Sequence, residues 1–234
     1  MNYIFKGGDL LDIYFAGVAG NTDRLKILVQ YGFKNFMWSY IAPPSKKQFE
    51  ILKENKCNLL LDSGAFSAWK KGKDIDIYKY IEYIKKNNIN MYFNLDVVGD
   101  IEKTNENQKI MEANGLYPIP VFHYGSDFKH LKYLVDCGYN YIGLGGTVGQ
   151  STNKRIEFFN KCFELYPNIK FHGLGVSSKK LIDLYNWGSI DSTTWLTPFK
   201  NGKEITKDGV QIKSEEKDST KRFLNSLEFF SKLK

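Results

Sequence analysis

The sequence predicts an α/β fold, a (β/α)8 barrel of the TIM type that forms a single domain over residues 1–234. Short apolar runs recur about eight times along the chain, and amphipathic segments with helical spacing separate them. The length of 234 residues, of which 42% are hydrophobic, is close to the roughly 250 residues of a typical barrel. A doubly wound open sheet is the alternative that the same alternation allows.

The predicted strands are short and rich in apolar or β-branched residues. The leucines before Asp62 show no polar alternation, which is typical of a strand covered on both faces in a parallel sheet. The eight strands are predicted at residues 13–16, 33–38, 58–62, 91–97, 117–122, 141–144, 170–174 and 189–193.

Helices are predicted between these strands, where Leu, Ile, Phe or Tyr recur with helical spacing. Glycine follows three of the helices, after Asn114, Cys137 and Trp187, as expected at a helix end. The predicted helices are residues 23–31, 46–56, 76–87, 104–114, 128–137, 154–165 and 178–187.

Residues 198–234 are predicted to form a terminal loop and a C-terminal helix of the same domain. The loop, residues 198–209, is rich in Lys, Gly and Asp, and we expect it to cover the mouth of the barrel.

Composition limits the class of protein. The net charge of +7 and the pI of about 9.0 suit a polyanionic partner, although a lysine-rich solvated surface explains them equally well. Cys57, Cys137 and Cys162 have no spacing typical of zinc or disulfide sites, so we expect reduced, structural cysteines. The sequence shows neither a leader peptide nor an 18-residue apolar run, which predicts a cytoplasmic protein without a membrane segment.

Chemically active side chains stand at the predicted strand ends, which converge on one face of a barrel. Each has a structural alternative: helix capping for the aspartates, core packing for the histidines and close packing for the glycines. Asp96 ends an apolar strand, so a polar partner should meet it. The candidates are Asp62, Asp96, His123, Gly145, Gly146, His172, Gly173 and Asp191.

Two carboxylates with separate tasks suit chemistry at an anomeric carbon, where one attacks and the other transfers a proton. No spacing typical of a metal site is present, so we predict neither a metal nor a cofactor. Schiff-base chemistry would need a lysine that ends a strand, and Lys170 begins one.

The segment Leu61-Asp62-Ser63-Gly64-Ala65-Phe66 resembles the Asp-Ser-Gly-Gly-Phe/Tyr signature of the tRNA-guanine (queuine and archaeosine) transglycosylases. Three further segments resemble motifs of that family in the same order, over roughly residues 58 to 195. They are Asn94-Leu95-Asp96, the run from Tyr141 to Gln150, and His172-Gly173-Leu174-Gly175.

The resemblance implies a barrel enzyme that exchanges a base of a polynucleotide for a 7-deazaguanine through a covalent glycosyl-aspartate. It implies Asp62 as the acid and base, and Asp191 as the nucleophile. It further implies that Asp96, Gly145 and Gly146 bind the edge of the base, and that Phe66 and His172 sandwich its ring.

The chain also departs from this family. The tRNA enzymes carry a zinc site after the last strand, and nothing after Cys162 could supply it here. His123 replaces the family's Gln at the end of the fifth strand, and one aspartate, Asp191, stands where the family has two. Short, zinc-lacking members that place 7-deazaguanines in DNA occur among phage and bacterial proteins, and the Asp191-Ser192-Thr193-Thr194-Trp195 ending resembles those.

The leading hypothesis is a pentosyltransferase that replaces guanine in DNA by a preQ0-type base, in the cytoplasm of a bacterium or of a phage-infected host. Its partners would be a nucleic acid and a 7-deazaguanine, and the oligomeric state stays open. One alternative is the same chemistry on tRNA. Others are a barrel that binds nucleosides or nucleic acid without catalysis, and a phosphate-binding barrel isomerase.

Overall fold

The computed structural model describes residues 11–232, and it confirms the (β/α)8 fold. The first ten and last two residues of the predicted domain lie outside the described residues. The strands are β1 Asp12–Ala16, β2 Asn35–Ser39, β3 Asn58–Asp62, β4 Met91–Tyr92, β5 Val121–His123, β6 Tyr141–Gly145, β7 Lys170–Gly173 and β8 Ser189–Ser192.

Strands β1 to β4 pair in parallel in sequence order, as do strands β5 to β8, and β1 also pairs with β8. The two edges of this sheet, β4 and β5, are joined by a single parallel bridge between Phe93 and Ile119. Two backbone hydrogen bonds of 2.9 Å carry this bridge, from Asn94 N to Ile119 O and from Ile119 N to Tyr92 O. The pairing of β1 with β8 excludes the doubly wound alternative, whose sheet stays open.

Helices cover the outside of the sheet, as the amphipathic pattern predicts. Several start at polar N-caps, including a capping box at Ser45. The helices are α1 Thr22–Gln30, α2 Lys46–Glu54, α3 Ala65–Trp69, α4 Ile77–Lys86, α5 Ile101–Ala113, α6 Phe128–Asp136, α7 Thr152–Leu165, α8 Lys179–Leu184, α9 Thr197–Lys200, α10 Ser219–Asn225 and α11 Leu227–Lys232.

Two strands differ from the prediction. The fourth is shorter than residues 91–97, because the chain after Phe93 leaves the sheet and is held by side chains instead. The fifth begins only at Val121, because Pro118 and Pro120 have no N–H to donate to a neighbouring strand.

The segment 198–209 is not the long loop that the sequence predicts. It contains part of α9 and the strand β9 Lys203–Ile205, which forms an antiparallel hairpin with β10 Gln211–Lys213. This segment packs against the C-terminal helices, where Ile205 N donates to Ser226 Oγ at 2.9 Å, and none of its residues lines the cavity at the strand ends. It therefore does not cover the mouth.

Side chains fill the barrel interior, which is therefore a packed core and not a pore. A second, larger apolar layer lies between the sheet and the helices. The buried interior residues are Tyr14, Ala16, Met37, Leu60, Phe93, Ile119, Val121 and Tyr141. Within residues 11–232, no helix combines the length and the apolar character needed to cross a membrane.

Candidate active site

A cavity of about 690 Å³ opens at the C-terminal ends of the strands, and we call it the mouth cavity. This volume is typical of sites that enclose a small organic molecule. The convergence expected of a barrel is present, because most of the predicted site residues line this cavity. They are Asp62, Phe66, Asp96, His123, Gly145, Gly146 and Asp191.

Asp62 ends β3, and its Oδ2 accepts a hydrogen bond from Gly64 N at 3.1 Å. It does not cap α3, because the N-cap position there is Gly64. Desolvation in the mouth, reinforced by the charges of Asp96 and Asp191, raises the pKa of Asp62 to about 7. A carboxyl group with such a pKa can both give and take a proton near neutral pH.

Asp96 has the polar partners that its position demands. Its Oδ2 lies 2.8 Å from His123 Nε2, and its Oδ1 accepts a hydrogen bond of 3.2 Å from Ser63 Oγ. It does not cap α5, because Asp100 occupies that position. Asp96 and His123 thus form an acid and imidazole pair on the cavity wall.

Asp191 is the penultimate residue of β8 and is almost completely buried, yet it borders the cavity. Its Oδ1 accepts a hydrogen bond of 2.8 Å from Gly175 N and lies 3.4 Å from His172 Nε2. Its other oxygen makes no hydrogen bond with residues 11–232. One oxygen is therefore anchored, and the second is available to a ligand.

A buried chain of polar groups stands behind Asp191. His172 Nδ1 lies 2.5 Å from Ser189 Oγ, which in turn lies 2.5 Å from Tyr141 Oη. Ser189 is fully buried, so it cannot reach a substrate as a nucleophile. Ser189 and Tyr141 are not among the predicted site residues, although Ser189 and Asp191 are two residues apart on a strand and must share a face.

Two predicted binding residues do not line the cavity. His172 is completely buried and packs edge-on against Phe93, with ring centroids 5.1 Å apart. A sandwich of the base between Phe66 and His172 is therefore contradicted, because no face of the His172 ring is accessible. Gly173 is also buried, and a Cβ there would lie 2.6 Å from Val176, in the layer outside the barrel. Gly175 faces the cavity instead.

Gly145 and Gly146 lie on the cavity wall where any side chain would intrude. A Cβ on Gly145 would lie 3.1 Å from His123, and one on Gly146 would lie 3.1 Å from Tyr124 N. Gly146 also has a positive φ of 72°, which favours glycine. The glycines thus keep the wall flat beside the Asp96 and His123 pair.

Aromatic side chains stand at the rim. Phe66 and Trp69 are about half exposed and stack on each other, with ring centroids 6.1 Å apart and an interplanar angle of 25°. Lys70 Nζ lies 4.3 Å from the centre of the Phe66 ring. Both aromatic residues also line the mouth cavity, so a flat group could stack there.

Charge is distributed unevenly around the site. Five carboxylates line the mouth cavity, from Asp62, Asp96, Asp100, Asp127 and Asp191, and no lysine or arginine of the described chain does. Two exposed lysines contact lining residues instead: Lys70 lies over the Phe66 ring, and Lys103 pairs with Asp100. The cavity therefore suits a ligand rich in hydrogen-bond donors, while anions are favoured at the rim.

The chain is similar to solved structures of other TIM-type barrels. A mutant of the tryptophan synthase α-subunit from Pyrococcus furiosus matches with a TM-score of 0.59 and 12% identity, over 97% of this chain and 100% of that one. A protein from Aquifex aeolicus VF5 matches with a TM-score of 0.58 and 12% identity, over 97% and 94% of the two chains.

A more distant likeness is to the carboxyl transferase domain of Rhizobium etli pyruvate carboxylase, with a TM-score of 0.52 and 11% identity. It covers 79% of this chain and 40% of that one. No protein-family model and no curated protein matches the sequence. These likenesses show the fold alone.

Proposed function

We propose that the protein is a base-exchange transglycosylase that replaces guanine in a polynucleotide, DNA in preference to tRNA, by a 7-deazaguanine. One observation carries this proposal. Asp62, with a pKa near 7, and Asp191, with one oxygen unbonded, face the same cavity. A proton carrier and a nucleophile are the two groups that exchange at an anomeric carbon requires.

In the first half of the reaction, the unbonded oxygen of Asp191 attacks C1′ of the target nucleoside. The bond from C1′ to N9 of guanine breaks, and its electron pair passes to the base. Protonated Asp62 gives its proton to the departing guanine. The hydrogen bond from Gly175 N to Asp191 Oδ1 holds the nucleophile in line with C1′.

In the second half, ionised Asp62 takes the proton from N9 of the incoming 7-deazaguanine. That nitrogen attacks C1′, the bond to Asp191 breaks, and both carboxyl groups return to their starting states. No electrons enter or leave the system, so the exchange needs no redox cofactor.

Recognition of the base is assigned to the cavity wall. Asp96 accepts N–H donors at the edge of a guanine-like ring, and His123 fixes the orientation of that carboxylate. The flat wall at Gly145 and Gly146 allows the ring to approach the backbone. Phe66 offers a stacking face from the rim.

The target nucleotide must leave its stack to reach the cavity, so a flipped or unpaired base is implied. The exposed lysines at the rim suit contacts with the phosphates on either side of it. The preference for DNA depends on the sequence resemblance to the short, zinc-lacking members of the family.

The test is base exchange with labelled substrates. Purified protein is incubated with radiolabelled guanine or a labelled 7-deazaguanine, and separately with DNA and with tRNA. We expect label in DNA, and a protein–DNA adduct that survives denaturation. Asp191→Asn should abolish both signals, whereas Asp136→Asn, on the exposed side of α6, should leave both unchanged.

The other outcomes identify the alternatives. Label in tRNA alone would indicate the same chemistry on the other polymer. Polymer binding without any label, in the presence of both bases, would indicate a barrel that binds without catalysis. The isomerase alternative is disfavoured, because the cavity that the late glycine loops border is lined by five carboxylates and, among residues 11–232, by no lysine or arginine.

A further inference from the structure

A second cavity, of about 500 Å³, lies between helices α5 and α6 at the N-terminal ends of β5 and β6, and we call it the basal pocket. The mouth cavity opens at the other ends of the strands, and among the described residues the two cavities share no lining residue. A volume of this size is typical of sites for small organic groups. None of the predicted site residues borders the basal pocket, so base exchange does not account for it.

The wall that α5 contributes contains a buried amide with one unused group. Only 4% of Gln108 is exposed, and its Nε2 donates to Glu112 Oε1 at 3.0 Å and to Pro118 O at 3.1 Å. Because both partners are acceptors, the amide nitrogen must point towards them and the amide oxygen away. This oxygen, Oε1, is buried and has no hydrogen-bond partner among residues 11–232. A buried acceptor without a donor is unfavourable, so a ligand that donates to Oε1 would stabilise the pocket.

A carboxylate lies one helical turn further along α5. Glu112 Oε1 accepts the hydrogen bond from Gln108 and another, of 2.5 Å, from Tyr139 Oη. Burial, and then this hydrogen bond, raise the pKa of Tyr139 well above its ordinary value, so the phenol keeps its proton and remains the donor. The other oxygen of Glu112 makes no hydrogen bond or ion pair within the described chain. The wall therefore presents two unused acceptors, an amide oxygen and a carboxylate oxygen.

Aromatic side chains form much of the remaining wall. Tyr117, Tyr133 and Tyr139 all line the basal pocket, and the faces of such rings attract organic cations. Among the described lining residues, the only basic side chain is that of Lys109, which is exposed and makes no ion pair with Glu112. The carboxylate thus has aromatic neighbours but no cation of its own.

We propose that the basal pocket binds a guanidinium group, through Gln108 Oε1 and the second oxygen of Glu112. A guanidinium group is planar and always charged, it stacks on aromatic rings, and it directs a rigid fork of N–H donors. These properties match two acceptors one helical turn apart beside tyrosine rings. An ammonium group has the charge without the planar fork, and a urea group has planar donors without the charge. This inference goes beyond the proposed function and does not depend on it.

A second copy of the chain does not supply the guanidinium group. The chain has three arginines, Arg24, Arg155 and Arg222, and none of them is exposed. Arg24 lies over the ring of Phe199, and the guanidinium of Arg222 donates to three backbone carbonyls. The ligand is therefore a different molecule.

The experiment is calorimetric titration of the whole protein with three probes that share a butyl chain and differ only in the head group: butylguanidinium, butylammonium and butylurea. We expect butylguanidinium to bind at least tenfold more tightly than the other two. Glu112→Gln keeps the shape of the side chain and removes its charge, so it should remove most of the preference over butylurea. Asp183→Asn, on α8 and paired with Lys179 away from the pocket, should preserve that preference.

A second variant tests the amide oxygen. Gln108→Met has a similar length and no acceptor, so it should weaken the binding of butylguanidinium and of butylurea, which both donate N–H groups. Unchanged affinity of the folded variant for both probes would exclude the contact with Gln108. Thermal unfolding of each variant without ligand separates the loss of an acceptor from the loss of structure.

The comparison of probes in the unmodified protein needs no variant to fold. Equal affinity for butylguanidinium and butylurea there, or no binding of butylguanidinium, would overturn the proposal. So would a folded Glu112→Gln variant that keeps the full preference, or one that loses affinity for all three probes to the same extent.

A blocked Gly-Arg-Gly tripeptide distinguishes the two sources of a guanidinium group. Binding tighter than that of butylguanidinium would indicate an arginine side chain of a partner protein, and weaker binding a free small molecule. Both outcomes support a guanidinium site. Because the basal pocket is separate from the mouth cavity, failure of the base-exchange assay leaves this proposal intact, and failure here leaves the proposed function intact.

Discussion

His172 Nε2 lies 3.4 Å from Asp191 Oδ1, while the other ring nitrogen of His172 lies 2.5 Å from Ser189 Oγ. The imidazole is thus held on both sides and connects a buried hydroxyl to a carboxylate on the cavity wall. Because His172 is completely buried, it acts on a substrate only by positioning Asp191.

Replacing this histidine should therefore slow the reaction without weakening substrate binding. We expect His172→Gln to lower kcat for base exchange by about 10- to 100-fold, since small misplacements of a reacting group have effects of that size. KM should change less than threefold. Ser189→Ala, which removes the hydroxyl bonded to the far side of the His172 ring, should have a smaller effect in the same direction. A rise in KM at constant kcat would contradict the positioning role.

The pH dependence of base exchange should follow the ionisation of Asp62. The pKa of this residue is raised to about 7, so its protonated form, needed for guanine to leave, is lost above that pH. We expect kcat/KM to fall about tenfold per pH unit above pH 8. Asp96→Asn removes one charge that raises this pKa, so the fall should begin at lower pH. An unchanged profile in Asp96→Asn would argue against this coupling.

Because its pKa is raised, Asp62 lowers the free energy of unfolding at neutral pH. An unfolded aspartate has a pKa of about 3.9, so between that pH and about 7 the native state holds a proton that the unfolded state has lost. The stability that this protonation contributes declines as the pH rises, and it is gone above pH 7. The isosteric variant Asp62→Asn does not ionise.

We therefore expect Asp62→Asn to be inactive but more stable, by about 2 kcal/mol at pH 8. The difference from the unmodified protein should shrink towards pH 4, as thermal unfolding at several pH values can measure. Asp136→Asn, whose parent residue is exposed and paired with Lys132, serves as the control. A stability difference that does not depend on pH would contradict the assignment.

The glycines of the late loop offer a matched pair of variants. Gly146 and Gly149 both have positive φ angles, of 72° and 87°, so alanine at either should cost about 1 kcal/mol. Only at Gly146 would the new methyl group meet neighbours, Tyr124 N at 3.1 Å and His123 Cβ at 3.4 Å. We expect Gly146→Ala to weaken base binding at least tenfold, and Gly149→Ala to leave it unchanged. Equal base affinity of the two variants would show that the cavity wall shifts to make room for the methyl group.

Much of the fold follows from local patterns in the sequence. The eight strands and seven of the helices are predictable from apolar runs, helical spacing and terminal glycines. The hairpin of β9 and β10 is absent from the prediction, although Asp208-Gly209 in its turn is a recognised signal for two adjacent strands. The shortness of β4 is not evident from the sequence, because apolar residues continue beyond its last ladder hydrogen bond, whereas Pro118 and Pro120 are a sequence signal for the late start of β5.

The site is predictable only in part. Strand ends converge in any barrel, so Asp62, Asp96, His123 and Asp191 can be grouped from the sequence. Whether a side chain faces the cavity or lies beneath it depends on packing between distant strands. The family resemblance therefore implies a stacking role for His172 that its burial contradicts, and the sequence gives Ser189 and Gly175 no role. Nor does the sequence predict that His130 lines the cavity, with its Nε2 held 3.0 Å from Asn105 Oδ1, 25 residues away on another helix.

The short β4 has a consequence for how specificity could change. Asp96 stands four residues beyond Tyr92, on backbone held by side chains such as Asn94, whose Nδ2 donates to Thr104 O at 2.9 Å. Asp62 and Asp191, in contrast, are fixed by the ladder of the sheet. Under the proposed function, a substitution that moves the backbone around Asp96 would change base recognition and leave the backbone of Asp62 and Asp191 in place, so the charge of Asp96 is what links recognition to the chemistry in this barrel.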